Sequence, residues 1–215
     1  MVSVGLNIKK PMLNKYVLVC VVAIAAGIFS SCTVSKIYPK EYYQQNKITM
    51  EEMETQYGAI TKENLLAVAF NDLSFNELSV ELKTDTVRYI YDFVYEEPRM
   101  YDSVAKFGYD TGLFRQLISN MRRIRCSWIN TMDYYVDGKK QLLLFMSAPV
   151  KQITLFPAFR KRKYYLFNFY QQPQYYDAAG RLLDKRRLRR LRKINSEVFY
   201  RITDKVCYTV SGKFR

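Results

Sequence analysis

Histidine, the side chain that most often carries catalysis at neutral pH, occurs nowhere in the 215 residues. Its absence excludes Ser-His-Asp and Cys-His catalysis, histidine metal sites and a histidine proton switch. Carboxylates could in principle support hydrolysis, and the candidates are Glu96-Glu97 at the end of an aromatic run and Asp133 and Asp137 near a predicted hairpin. Neighbours on a strand point to opposite faces, so Glu96 and Glu97 do not converge on one substrate atom. There is no G-x-S-x-G, no P-loop and no C-x-x-C, and no spacing selects a Ser-Lys pair. Neither a metal nor a cofactor is expected.

Four cysteines remain as nucleophiles or cross-links: Cys20, Cys32, Cys126 and Cys207. Two readings are open for Cys126 and Cys207, one disulfide in an oxidising compartment or two buried free thiols.

The strongest charge feature is the run Lys185-Arg186-Arg187-Leu188-Arg189-Arg190-Leu191-Arg192-Lys193. If it is helical, Leu183, Leu188, Leu191 and Ile194 fall on a narrow face and the cations cover the remainder. A helix of that kind can lie on an anionic membrane, each nearby cation contributing about 1 kcal/mol. It could equally bind an acidic protein, or nucleic acid through phosphates; a solvated face whose leucines pack on a sheet is the structural alternative. The candidate contacts are Lys185, Arg186, Arg187, Arg189, Arg190, Arg192 and Lys193, and Arg160 to Lys163 extend the patch if folding brings them close. Residues 32–150 hold 14 Lys/Arg and 16 Asp/Glu, whereas 151–215 hold 17 and 4, so the basic excess belongs to the last third.

The N-terminus sets the context for all of these groups. Lys9, Lys10 and Lys15 precede an apolar run from Tyr16 to Phe29, which ends in Ser30-Ser31-Cys32. A basic region, a short apolar region and small residues before a cleavage point are the parts of an export signal. With a cysteine directly after the small residues, the stretch resembles the signal of bacterial lipoproteins, including those of Bacteroidetes. Phe29 stands where that family most often has Leu. The resemblance covers the first 32 residues and implies cleavage before Cys32 and a diacylglyceryl group on its thiol. The 14 apolar residues from 16 to 29 fall short of the ~20 that a spanning helix needs. The lysines favour a cytoplasmic N-terminus, so signal and anchor readings alike export residues 33–215. Export argues against nucleic acid as a partner. Thr33 after the cysteine, and no acidic run beyond it, implies by analogy the outer membrane with the domain facing the periplasm.

The chain then divides into a signal peptide at 1–31, a lipidated end and tether at 32–48, and one domain at 49–215. Thr49 can cap a helix over Met50–Gln56, and Thr61 can cap another through Leu65, Leu66, Ala69, Phe70 and Leu73, with Gly58 between them. Val87, Tyr89, Tyr91, Phe93 and Tyr95 alternate as a strand that Pro98 ends. Asp110 or Thr111 opens an amphipathic helix along Leu113, Phe114, Leu117, Ile118, Met121 and Ile124, with Arg122, Arg123 and Arg125 at its C-terminal turn. Met132–Val136 and Lys140–Met146 flank Asp137-Gly138, a two-residue hairpin signal. Ile153–Phe156 and Tyr164–Tyr170 read as strands, 175–183 as a turn or hairpin, and Val198–Ile202 with Val206–Val210 as an antiparallel pair. The paired tyrosines at 134, 164 and 175 fit cross-strand packing better than ligand stacking. The expected class is α+β, helices followed by a mostly antiparallel sheet. The expected role is a lipid-anchored envelope protein with non-catalytic contacts. The alternatives are a periplasmic histidine-independent hydrolase of cell-wall or glycan material, and a nucleic-acid-binding protein if the signal is accidental.

Overall fold

The computed structural model describes residues 39–62, 64–84, 86–136, 139–150, 162–185 and 187–213. The signal-like stretch, Cys32, Asp137-Gly138, Ile153–Phe156, Arg160, Lys161 and Arg186 lie outside them. Two units divide the chain, residues 1–41 and the larger one from Tyr42 to Arg215.

A helix, α1, covers 39–60, where the sequence predicts a tether to residue 48 and a helix only from Met50. Beyond Pro39, its buried residues are Tyr43, Met50, Met53, Tyr57 and Ile60, at steps of seven, three and four that keep one helical face inward. Leu65–Phe70 is a strand, β1, and not a second helix. The helical spacing of its leucines is accidental. β1 lies between two other strands and is buried on both faces, so it reads as an unbroken apolar run rather than as an alternation.

The other strands of the main sheet are β2 (Glu77–Lys83), β3 (Arg88–Val94), β4 (Trp128–Val136), β5 (Lys139–Pro149), β6 (Tyr164–Phe169), β11 (Tyr200–Arg201) and β12 (Val206–Ser211). They lie in the order β11-β12-β6-β5-β4-β1-β2-β3, each pair antiparallel. Two helices separate β3 from β4, so the helices do not all precede the sheet. α2 (Pro98–Lys106) has Pro98 in its first turn, where a missing N–H costs nothing. α3 (Thr111–Arg123) begins at Asp110, whose side chain accepts from the Leu113 amide at 2.9 Å. The class is α+β, with three helices and a large antiparallel sheet among the described residues.

Strand alternation builds two cores. On the front, Leu66, Val68, Leu78, Val80, Met146, Phe167 and Tyr208 meet Tyr57 of α1, Val104 of α2 and Phe114 and Leu117 of α3. Polar bonds also join α1 and the α2–α3 connection to the sheet: the Tyr57 hydroxyl donates to the Leu66 carbonyl, and that of Tyr109 to the Leu65 carbonyl at 3.0 Å. On the back, Leu143, Phe145, Leu166 and Cys207 are covered by Leu182 and Phe199 from the segment after β6.

That covering segment contains two small hairpins. β7 (Leu183–Asp184) pairs with β8 (Arg187–Leu191), and β9 (Lys193–Ile194) with β10 (Glu197–Val198). Asn195 and Ser196 join β9 to β10 with φ of 50° and 68°, the signs a type I′ hairpin turn requires. The predicted turn at 177–180 is present, with the Gly180 amide donating to Asp177 O at 2.9 Å and Gly180 at φ 74°.

Candidate anionic-partner site

The basic run is a strand hairpin and not the amphipathic helix its leucines suggest. Leu183 pairs with Leu191 and Asp184 with Arg187, and a register irregularity falls between the two pairs. In a strand Leu188 and Leu191 point to opposite sides. Leu191 is partly covered, and Leu188 is 53% exposed among the cations.

The run therefore divides. Arg187, Arg189, Arg190 and Lys193 are exposed, and none of them reaches a carboxylate among the described residues. Local acids are engaged elsewhere: Asp177 holds Arg181 at 2.7 Å, Asp204 holds Arg201 at 2.5 Å, and Glu197 accepts from the Ser211 hydroxyl at 3.1 Å. Lys185 is exposed but has an interaction of its own. Arg192 turns inward. Its amide donates to the Leu182 carbonyl at 2.9 Å, and its guanidinium stands over the rings of Tyr170 and Tyr134 at 5.6 and 5.9 Å. Of the candidates, Arg187, Arg189 and Arg190 are exposed along β8 and Lys193 on β9 of the next hairpin, while Arg192 packs over the rings of the back core.

Cys126 and Cys207 are free thiols, both buried. Cys126 lies in the front core and Cys207 in the back core, so the sheet separates them and no bridge joins them. Burial pushes the Cys126 thiol up to about 12 and that of Cys207 higher still. Neither is a nucleophile at neutral pH. Tyr170 and Tyr176 face Cys207 on the back side, and burial also raises their hydroxyls far above the usual range.

The sequence-selected carboxylates do structural work. The Glu97 carboxylate accepts from the Val94 amide at 3.2 Å and pairs with Arg99, and these bonds hold its pKa below the usual range. Glu96 occupies a left-handed turn position at φ 64°. Asp133 pairs with Lys140 at 3.1 Å. A different acidic group, missed from sequence, lines a cleft of about 340 Å³: Glu51 and Glu54 of α1, with Asp204, Lys47 and Lys205. Desolvation and then the Glu51 charge raise the Glu54 carboxyl. Only folding joins residues 51 and 54 to 204, so no local spacing marks them. Among the described residues no three His, Cys, Asp or Glu side chains gather as metal ligands. No described helix is long and apolar enough to cross a membrane.

The predicted tyrosine pairs split across the sheet. Tyr134 is buried and Tyr135 is 68% exposed, and Tyr165 packs in the front core. Comparison of the chain with protein-family models, with curated proteins and with solved structures found no match.

Proposed function

We propose that this chain is a lipid-anchored cell-envelope protein that binds without catalysis. Cys32 would carry the lipid, and the β7–β8 hairpin would contact an anionic membrane or envelope partner. The supporting observation is that Arg187, Arg189 and Arg190, exposed and without a carboxylate partner among the described residues, neighbour the exposed Leu188 along β8. Cations attract an anionic surface by about 1 kcal/mol each, and an exposed apolar side chain between them can enter the boundary below the headgroups. Leu188 is what favours a lipid surface over a soluble acidic protein.

The anchor would strengthen such a contact. Seven residues lead from Cys32 to the start of α1 at residue 39, a reach of at most roughly 25 Å. Lipid at Cys32 would hold the domain at a high local concentration over the membrane. The reading extends to an outer membrane with the domain in the periplasm, and to a single domain behind a short tether.

Vesicles of neutral lipid with and without phosphatidylglycerol test the hairpin. The chain with Arg186, Arg187, Arg189 and Arg190 all replaced by Gln should lose its preference for the anionic vesicles. Unchanged binding would remove the hairpin from the contact. If instead the wild type ignores vesicles but is captured by an anionic envelope polymer, the partner is that polymer.

A second reading is a histidine-independent hydrolase, favoured by the cleft with Glu51, Glu54 and Asp204. A raised Glu54 beside two further carboxyl side chains is the arrangement of a general acid with its partner. Lys47, 3.8 Å from Glu51, partly neutralises the group, and each of the three carboxylates is exposed. Activity on cell-wall glycan that Glu54→Gln abolishes would establish this reading.

A further inference from the structure

The two edges of the main sheet differ. β11 is two residues long, whereas β3 has seven and runs beside β2 in continuous register. An open edge is a template for another strand, and proteins usually blunt it with Pro, Lys, a bulge or a short strand. Arg88–Val94, reading RYIYDFV, has no Pro, no Lys and no bulge, and its charged side chains are the oppositely charged pair Arg88 and Asp92.

The ladder fixes which backbone groups face outward. The Tyr95 amide donates to Asn76 O at 2.7 Å and the Thr84 amide to Val87 O at 3.0 Å. By alternation, Tyr89, Tyr91 and Phe93 bond to β2, while Arg88, Ile90, Asp92 and Val94 aim their N–H and C=O away from it. Val94 is satisfied locally, its amide by the Glu97 carboxylate at 3.2 Å and its carbonyl by the Glu97 amide at 3.0 Å. For Arg88, Ile90 and Asp92 no such bond exists among the described residues. Ile90 itself is 59% exposed.

We propose that β3 pairs with β3 of a second copy, antiparallel about a two-fold axis at Ile90. This is the one self-pairing register in which all three outward residues of each strand bond. It sets Ile90 against Ile90 of the partner subunit, and Arg88 against Asp92 of the partner subunit at both ends. Opposite charges directly across strands are stabilising and like charges are not. Both side chains are already held on the back face, Arg88 by Glu81 at 2.6 Å and Asp92 by the Ser79 hydroxyl. On the front face Tyr89 meets Tyr91 of the partner subunit, extending the row in which Tyr89 and Tyr91 stack at 6.3 Å. A two-residue shift would lose bonds and set Ile90 against a charge. This inference is independent of the anionic-surface reading.

Sedimentation velocity of the full chain in a mild detergent tests it. The wild type should sediment as two chains. Arg88→Asp sets like charges together at both ends, as does Asp92→Arg, so each variant alone should be monomeric. Mixing the two should restore the dimer, because unlike charges then meet at both ends, and that recovery also shows both variants are folded. Ile90→Pro removes an outward N–H without touching the β2 ladder and should also give monomers. A monomeric wild type, single-charge variants that remain dimers, or a mixture that stays monomeric overturns the proposal.

Discussion

The Arg192 guanidinium stands 5.6 Å over the Tyr170 ring, which ties one end of the basic run to the core behind the sheet. Two roles thus follow one another along the run. Residues 187–190 are exposed on both sides of a thin hairpin, while Arg192 shields an aromatic floor.

Exchanging Arg192 for Gln should lower stability by about 1 kcal/mol, the size of a partly buried cation–π contact, and leave vesicle association nearly unchanged. Gln at Arg187, Arg189 and Arg190 should do the reverse. Urea unfolding and vesicle sedimentation on the same samples separate the two effects. Equal losses of binding for both sets would contradict the division.

Leu188→Ser should leave the urea midpoint in place, because the side chain is 53% exposed. If the leucine enters the lipid boundary, association with anionic vesicles should weaken by about tenfold, from roughly half the value of a fully buried leucine. High salt should weaken what remains.

Asp110→Ala removes the oxygen that accepts from the Leu113 amide. The loss of an N-cap of this kind costs about 1 kcal/mol, and Asp110→Asn should retain most of it. Thermal unfolding of the three proteins is the check.

The two inner thiols should resist alkylation in the native protein and react after unfolding, with no disulfide between Cys126 and Cys207. Burial holds the folded Cys126 thiol at about 12, against about 8.5 in an unfolded chain. The unfolded thiol releases its proton first. Its stabilising contribution is therefore complete below about pH 8.5 and lost as pH rises toward 12. Cys126→Ala should make the alkaline fall in stability shallower. A fall as steep as the wild type's would assign it to other groups, such as the buried tyrosines.

Where one side of an element faces water, the sequence announced it. β3 alternates aromatic and polar residues, α3 carries an apolar stripe behind an Asp cap, and β4 and β5 flank Asp-Gly. Elements buried on both faces or built from unusual residues were hidden. β1 is apolar throughout because both of its faces are buried. The inward face of α1 consists of tyrosine and methionine more than leucine, so residues 39–48 passed as a polar tether. α2 begins with Pro98, which also reads as the end of a strand. In the basic run the leucine spacing fits a helix, but no sequence signal shows that Tyr134 and Tyr170 lie beneath Arg192. The cleft joining Glu51 and Glu54 to Asp204 depends on contacts distant in sequence and could not be read in advance.

The central claim is a lipid-anchored envelope protein, and intact mass with membrane partition tests it most directly. The full chain and Cys32→Ala are expressed in a diderm bacterium and compared. The account predicts a wild type that lacks residues 1–31, carries added lipid mass and sediments with membranes, beside an unprocessed mutant. Both proteins keeping residue 1, with no added lipid on either, would contradict it.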